Sequence, residues 1–370
     1  MLDFLKFCKS LAKNNVVHID NFVFKLHYRL TVIVLVVSSV LITTKQFFGD
    51  PIDCEMDGTF NNMFDTYCWI YNTHIIKNTL ENEILPGLGN YHDHIKTETP
   101  EAADSDEGII KQKYYQWICI VLALQALLFY TPRYIWKNWE GGRLKMLAKD
   151  LGGPLLTSNW DQEAKDRLIN YIVHGKDCHN VYAIRFLFCE LFNLINVVSQ
   201  IVLTNWFLSG QFSGLHVFTD LMNGEDPLKM VFPKLVKCTY NSYGSSGSIQ
   251  KRDALCILPL NVFNEKLYLI MWFWFYFLSL LSAVALLYRL LFFCVPFIRV
   301  YLLMARTKYV TKGIARIIVY QISFGNCFIL YQLGNNLNPI VFRELIMGIC
   351  NYLQSNKKHQ SLSAEITFPI

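Results

Sequence analysis

Four of the eleven cysteines lie in two polar segments that separate long apolar stretches, and these four could form disulfide bonds. Cys54 and Cys68 lie 14 residues apart in one segment, and Cys238 and Cys256 lie 18 residues apart in the other. Zinc sites draw their cysteines from tight pairs, so this spacing favours structural disulfides over metal binding. Four cysteines allow three pairings, and the spacing does not choose among them.

A second candidate set is a stripe of polar side chains in the third apolar stretch. The residues that share one side of this helix are Glu190, Asn193, Asn196, Val197 and Gln200. Polar groups are costly in lipid, so the stripe should face other helices or water. Interhelical hydrogen bonding is favoured over a role in conduction, because such bonds are common in helix bundles. Arg29 and Arg185 are the candidate partners of Glu190.

The rest of the sequence lacks the spacing of a catalytic or metal-binding site. No phosphate-binding loop, His-Glu metal motif or nucleophile elbow occurs. The cluster His92-Asp93-His94 suggests a metal, but no second ligand group accompanies it at fixed spacing, which favours a solvated loop. We therefore expect a protein that is not an enzyme and that uses no cofactor or metal.

The elements that must position these residues are four long apolar stretches. Hydrophobic residues make up 53% of the chain and charged residues only 17%, and the apolar residues are clustered. The uncharged run from Leu267 to Tyr288 is long enough to cross a hydrocarbon core of about 30 Å. The stretches 30–44, 114–131 and 186–208 are uncharged apart from Glu190. One such stretch fits a soluble core, whereas four indicate a membrane protein.

The distribution of Lys and Arg predicts which segments face the cytoplasm. The segments 1–27, 136–182 and 297–370 hold four, seven and eight of these residues, whereas 49–113 holds four Lys against thirteen Asp or Glu. Basic segments remain in the cytoplasm, so both termini should lie there. The four loop cysteines then face the oxidising outside, where disulfides persist. The net charge of +5 reflects this topology, and a nucleic-acid partner is not expected.

The expected fold is an all-α membrane protein, a bundle of four transmembrane helices with disulfide-stapled extracellular loops, a small β element and a helical cytoplasmic domain. The expected parts are a cytoplasmic N-terminal helix (1–27), transmembrane helices (28–48, 114–135, 183–208, 267–294), extracellular loops (49–113, 209–266), a cytoplasmic loop (136–182) and a cytoplasmic C-terminal region (295–370).

Local patterns add detail to these parts. Short strands at 237–240 and 254–258 should pair as a hairpin, because a glycine- and serine-rich turn lies between them. Helical periodicity predicts cytoplasmic helices at 144–151 and 161–173. Pro132 should bend or end the second span, and the polar segment from Ser355 is expected to be disordered.

The first residues form a candidate amphipathic helix. Phe4, Phe7 and Leu11 share one face, and Lys6 and Lys9 lie opposite. Taken alone, this pattern slightly favours a helix that lies on the lipids of the inner leaflet over one that folds into a pore mouth.

Motifs along almost the whole chain resemble those of the innexins, the gap-junction proteins of invertebrates. They are Tyr114-Tyr115-Gln116-Trp117, Gly49-Asp50-Pro51-Ile52-Asp53-Cys54, Thr66-Tyr67-Cys68-Trp69-Ile70, Trp139-Glu140-Gly141-Gly142-Arg143, Phe232-Pro233-Lys234, Cys256-Ile257-Leu258-Pro259-Leu260-Asn261, Asn264-Glu265-Lys266 and Leu330-Tyr331-Gln332-Leu333-Gly334. The order of the motifs is that of the family, and the resemblance is closest to insect innexins. Insect-associated viruses carry innexin-like genes too, and the motifs fit a host or a viral copy.

The resemblance implies a gap-junction channel at the plasma membrane. A homo-oligomer of eight subunits, or a hetero-oligomer with other innexins, would form a hemichannel that docks with the hemichannel of an adjacent cell to pass ions and small molecules. It implies disulfides that join the two outer loops, Cys54 to Cys256 and Cys68 to Cys238. It also implies that the N-terminal helix folds into the pore, and the residues expected at the pore are Leu2, Asp3, Phe4 and Lys6.

The sequence departs from the family pattern at two places. Ile118 replaces the usual Val after the Tyr-Tyr-Gln-Trp motif, and Asn326-Cys327 replaces an Asp-Trp pair, which puts the packing of the tail in doubt.

Two other functions fit the sequence as well. They are an undocked hemichannel that releases small solutes and a non-conducting tetraspan adhesion or scaffold protein.

Overall fold

A computed structural model describes most of the chain outside the N-terminal segment and parts of the polar loops. The described residues are 17–56, 59–60, 62–70, 73–76, 109–111, 114–149, 151, 160–208, 210, 218–219, 222–223, 231–243, 246–307 and 310–366. The predictions for Leu2, Asp3, Phe4 and Lys6, and the cluster His92-Asp93-His94, lie outside the described residues.

The described residues form helices and short strands in the following order. The elements are α1 (Phe22–Phe48), β1 (Asp53–Met56), β2 (Thr59–Phe60), α2 (Asn62–Ile70), β3 (Thr73–Ile76), β4 (Ile109–Lys111), α3 (Ile118–Glu140), α4 (Arg143–Leu147), α5 (Gln162–His174), α6 (Lys176–Phe207), β5 (Leu235–Tyr243), β6 (Ile249–Ile257), α7 (Pro259–Cys294), α8 (Pro296–Arg306), α9 (Lys312–Gln321), α10 (Phe324–Gly334) and α11 (Pro339–Ile366).

Four of these helices, α1, α3, α6 and α7, are long and apolar enough to cross a membrane, as predicted. Three begin before the predicted spans, α1 at Phe22, α6 at Lys176 and α7 at Pro259. The limits of the membrane along each helix stay predictions. Pro132 lies inside α3, which continues to Glu140, so this proline does not end the helix. Residues Leu26–Thr31 of α1 are wound as a π-helix.

The chain divides into two compact units, and each long helix contributes residues to both. The sheet unit comprises Ile33–Leu127 and Val198–Phe277. The helical unit comprises Met1–Val32, Leu128–Val197 and Leu278–Ile370.

The sheet unit contains a six-stranded antiparallel sheet in the order β2-β1-β6-β5-β3-β4. Its centre is the predicted hairpin of the second outer loop, which is longer than expected and runs from Leu235 to Ile257. The other four strands come from the first outer loop and were not predicted. Each has only two to four residues, which is too short for a recognisable alternation of apolar and polar side chains. They are β-strands because they pair with the hairpin or with each other.

The helical unit has a core of aromatic side chains around Phe186 of α6. The ring of Phe186 lies 4.8 Å from Trp136, 5.2 Å from Phe328 and 6.1 Å from Phe24, measured between ring centroids. All four side chains are fully buried. Burying a side chain of this size contributes about 2–3 kcal/mol, so this cluster ties α1, α3, α6 and α10 together.

The junction between α3 and α4 explains one of the family-like motifs. Gly141 and Gly142 have φ of +62° and +80°, a conformation that other residues rarely adopt. The chain reverses there, and the backbone N–H groups of Gly142 and Leu144 donate to the Glu140 carboxylate at 2.7 Å each. The sequence Glu-Gly-Gly therefore ends one helix and caps the next.

The C-terminal end of the described chain differs from expectation. Residues from Ser355 were expected to be disordered, and the prediction is wrong as far as Ile366, because α11 continues to that residue. No Gly or Pro lies between Gly348 and the end of α11, and Gln and Lys are good helix formers. The predicted helix at 161–173 is present as α5, whereas the one predicted at 144–151 is present as α4 but ends at Leu147.

Candidate functional site

Two disulfides join the two outer loops at the centre of the sheet. Cys54 of β1 is bonded to Cys256 of β6, where the two residues face each other in the strand register. Cys68 of α2 is bonded to Cys238 of β5, with a Cα–Cα distance of 5.8 Å. These are the pairs that the family resemblance implied. All four cysteines are buried, so the bonds lie inside the sheet unit and are shielded from solvent reductants.

Packing beside the disulfides holds helix α2 against the hairpin. The ring of Tyr240 lies 5.1 Å from both Phe64 and Tyr67, in edge-to-face contact with each. The backbone N–H of Cys54 donates to the Asp65 carboxylate at 2.8 Å. The segments from the first loop and the hairpin from the second therefore behave as one rigid body.

The base of the hairpin is attached to the start of α7. The Asn261 side chain donates to the carbonyl of Pro233 at 3.0 Å, and the N–H of Leu258 donates to the carbonyl of Lys234 at 2.9 Å. An ion pair of 3.2 Å links Lys234 to Glu265. These contacts come from three of the motifs, Phe-Pro-Lys, Cys-Ile-Leu-Pro-Leu-Asn and Asn-Glu-Lys, and they fix the direction of the hairpin relative to α7.

The hairpin ends in an exposed tip that carries apolar side chains. Tyr243 and Ile249 are paired across the last rung of the hairpin and are 79% and 65% exposed. Gly247 in the turn has φ of +75°, which a β-carbon would disfavour. Exposed aromatic and aliphatic groups on a rigid element suit contact with another protein surface.

The polar stripe of α6 is buried, and its acidic member forms an ion pair that was not predicted. The two carboxylate oxygens of Glu190 accept hydrogen bonds from Arg289 Nε at 3.0 Å and Arg289 Nη2 at 3.1 Å. The side chain of Asn21, the N-cap of α1, donates to the same carboxylate. Asn193 and Gln200 are also buried.

Of the two predicted partners of Glu190, the prediction for Arg185 was wrong. Arg185 is exposed and lies over the ring of Trp139. The actual partner, Arg289, directly follows the uncharged run that ends at Tyr288. A charged residue directly after an uncharged span is a candidate partner for a buried carboxylate, and the prediction did not consider it.

The sequence analysis also missed further polar pairs in each of the two units. His27, in the π-helical turn of α1, lies 2.7 Å from the Ser282 hydroxyl of α7. Arg133 of α3 forms an ion pair with Asp20, which also accepts a hydrogen bond from Tyr28 at 3.1 Å. Within the sheet unit, Gln125 donates to Thr204 at 2.9 Å. Such pairs satisfy polar groups that would otherwise be buried alone in the bundle.

The departure at Asn326-Cys327 is accommodated within the helical core. Asn326 is buried, and its side-chain oxygen lies 2.8 Å from His179 Nδ1 of α6. Cys327 is buried as a free thiol, and burial raises its pKa to about 11. The backbone N–H of the preceding Gly325 donates to the Asn180 side chain at 3.0 Å. The tail therefore packs closely against α6 without the aspartate and tryptophan of the family pattern.

We expect Gly325→Ala to destabilise this contact by about 1–3 kcal/mol or more. A β-carbon at Gly325 would lie 2.4 Å from the backbone of His179 and Asn180, atoms that cannot move aside independently. The melting temperature of the purified protein should fall. Gly313→Ala is the matched control, because it lies at the start of α9 with nothing within 4 Å of the added atom. If the two variants had the same melting temperature, the close approach of Gly325 to α6 would not be what holds α10 in place.

The comparisons with known proteins agree with one another over most of the chain. The innexin family model matches residues 20–353. The chain is 41% identical to innexin inx2 of Drosophila melanogaster over 96% of its length and 97% of that protein. It is 43% identical to innexin inx2 of Schistocerca americana, covering 96% and 99% of the two chains, and 39% identical to innexin shaking-B of Drosophila melanogaster, covering 97% of each. This chain, with four helices long and apolar enough to cross a membrane and a sheet tied by two disulfides, belongs to the innexin family of gap-junction channel subunits.

Proposed function

We propose that the chain assembles, alone or with other innexins, into a ring of eight subunits that docks with a ring on the adjacent cell. The channel so formed passes ions and small molecules between two cytoplasms. The observation that carries the proposal is the rigid sheet unit, in which both outer loops are joined by two buried disulfides. A rigid surface loses little conformational entropy on docking, which favours end-to-end association.

The proposed orientation places the sheet unit outside and both termini in the cytoplasm. Buried disulfides persist in an oxidising compartment, and the sheet unit holds both of those found among the described residues. The excess of Lys and Arg in the segments 136–182 and 297–370 favours the same orientation.

The proposed conduction is weakly selective and involves no catalysis. Glu190 of the polar stripe pairs with Arg289 of α7, and the rest of the stripe is buried, which favours the structural role over a role in conduction. Selectivity would then come from pore width and from charges at the mouth, where Leu2, Asp3, Phe4 and Lys6 of the N-terminal helix are proposed to lie.

The proposed docking surface can be tested at the hairpin tip. In the double variant Tyr243→Glu/Ile249→Glu, every subunit would present carboxylates to its counterpart across the junction, and like charges at an interface are repulsive. We expect junctional conductance between paired expressing cells to fall at least tenfold. Currents of single unpaired cells should persist, because both side chains are exposed and contribute little to folding.

The control for this test is Tyr243→Phe/Ile249→Val, which keeps the tip apolar and should couple cells normally. Dye uptake from the bath without cell-to-cell transfer by the unmodified chain would favour the undocked hemichannel. The absence of any new conductance in voltage-clamped cells would favour the adhesion or scaffold function.

A further inference from the structure

A cavity of about 420 Å³ lies in the helical unit beside the start of α1. Its walls are the segment from His18 to Lys25, the inner end of α7 at Tyr288 and Arg289, and residues of α8 and α10. The volume is within the range of small-molecule binding sites.

The lining of the cavity carries an excess of positive charge. Lys25, Arg289 and Arg306 contribute cationic groups, and Asp20 is the lining carboxylate. Arg133 and Tyr28 already bind Asp20, and Glu190 balances Arg289, so Lys25 and Arg306 are the two cations of the lining that no described carboxylate balances. The imidazole of His18 lies 3.1 Å from the Lys25 ammonium, and burial together with this neighbour lowers the pKa of His18, which keeps it neutral at pH 7.

The cationic side chains that line the cavity can bind a further hydrogen-bond acceptor. Arg289 is 3% exposed in its side chain and bonds Glu190 through Nε and Nη2, but its buried Nη1 has no partner among the described residues. Arg306 lies over the ring of Tyr331 at 5.3 Å. Neither Arg306 nor Lys25 has a carboxylate within ion-pair distance in the described part of the chain. An anion in the cavity would therefore be stabilised by the ammonium of Lys25 and the guanidinium of Arg306, whose charges no described carboxylate balances.

The chain's own N-terminal segment does not complement this charge. Residues 1–16 precede the cavity wall directly and contain Lys6, Lys9 and Lys13 against the single carboxylate of Asp3. A separate anion is therefore the better occupant. Phosphate groups match it best, because guanidinium and ammonium groups bind their oxygens through several charge-assisted hydrogen bonds.

We propose that this cavity binds a polyol that carries several phosphate groups, with Lys25, Arg289 and Arg306 as the cationic contacts. The polyol can be the headgroup of an inner-leaflet phosphoinositide or a soluble inositol phosphate, since both present the same chemistry. The cytoplasmic placement of the site rests on the proposed orientation, but the binding test does not depend on channel activity.

The test uses the purified full-length protein and measures its melting temperature and affinity with four probes. They are a short-chain phosphatidylinositol bisphosphate, inositol trisphosphate, short-chain phosphatidylcholine and inorganic phosphate. We expect a rise in melting temperature with one or both inositol probes and none with phosphatidylcholine. A rise with the lipid alone identifies a membrane headgroup, and an equal rise with inositol trisphosphate identifies a soluble ligand. No rise with either, or an equal rise with inorganic phosphate, overturns the proposal.

Charge-removal variants locate the site. Lys25→Gln and Arg306→Gln should each weaken binding roughly fivefold, since a basic residue near an anionic lipid surface contributes about 1 kcal/mol. The matched control, Lys312→Gln/Arg316→Gln, removes two exposed cations of α9 and should leave affinity unchanged. An equal loss in the control pair would show that overall charge attracts the probe and would overturn the assigned site. The melting temperature of each variant without probe verifies that it is folded.

Discussion

Removing either disulfide should reduce junctional conductance between paired cells to background. The double variants Cys54→Ser/Cys256→Ser and Cys68→Ser/Cys238→Ser each delete one bond without leaving a partner thiol. Loss of a native disulfide from a small secreted domain typically costs about 2–5 kcal/mol, and a similar cost is expected for the sheet unit. The four strands of the first loop contain only two to four residues each, so their pairing in the sheet alone holds them weakly. The docking surface should therefore lose its fixed shape.

Conductance is measured by dual voltage clamp, and surface labelling confirms that each variant reaches the membrane. Cys178→Ser is the control, because Cys178 is an exposed free thiol in the helical unit and its loss should leave coupling intact. Normal coupling by either double variant at normal surface density would contradict a docking role for the joined loops.

The second large effect is expected from Glu190→Gln in the helical unit. This change leaves the buried Arg289 without its counter-charge, and breaking a buried ion pair from one side costs about 3–5 kcal/mol. The melting temperature of the purified protein should fall steeply, and surface expression should fall with it. Arg289→Met should have an effect of similar size, since it strands the Glu190 carboxylate.

The combination Glu190→Gln/Arg289→Met removes both charges and should recover much of the stability that either single change loses. Arg185→Met is the control, because Arg185 belongs to the same helix but is exposed. A double variant as unstable as the sum of the two single variants would show that the residues do not act as a pair.

The sequence allowed prediction of the features that depend on composition. The four apolar stretches are properties of contiguous segments, so they predicted four long helices without knowledge of their packing. The bias of Lys and Arg is also a property of contiguous segments, and it predicted the orientation of those helices. The hairpin was predictable too, because its strands are adjacent in the chain and a turn motif joins them.

Pairings between distant segments were not predictable in the same way. Residue spacing left three disulfide connectivities open, and only the family resemblance pointed to the pairs that the structure contains. The partner of Glu190 lies 99 residues away. Helical periodicity shows which residues share one face of a helix, but it does not show which neighbouring helix that face meets.

The long separation within each disulfide has a consequence for the biosynthesis of the subunit. The bonded cysteines are 202 and 170 residues apart, and α3 and α6 lie between the members of each pair. Cys54 and Cys68 are translated first and must wait until two more helices have been inserted and the hairpin has reached the same compartment. A ribosome that stalls early, or a helix that is inserted in reverse, leaves these thiols without their partners. The two bonds can therefore form only after α3 and α6 have been inserted so that both loops lie on the same side of the membrane.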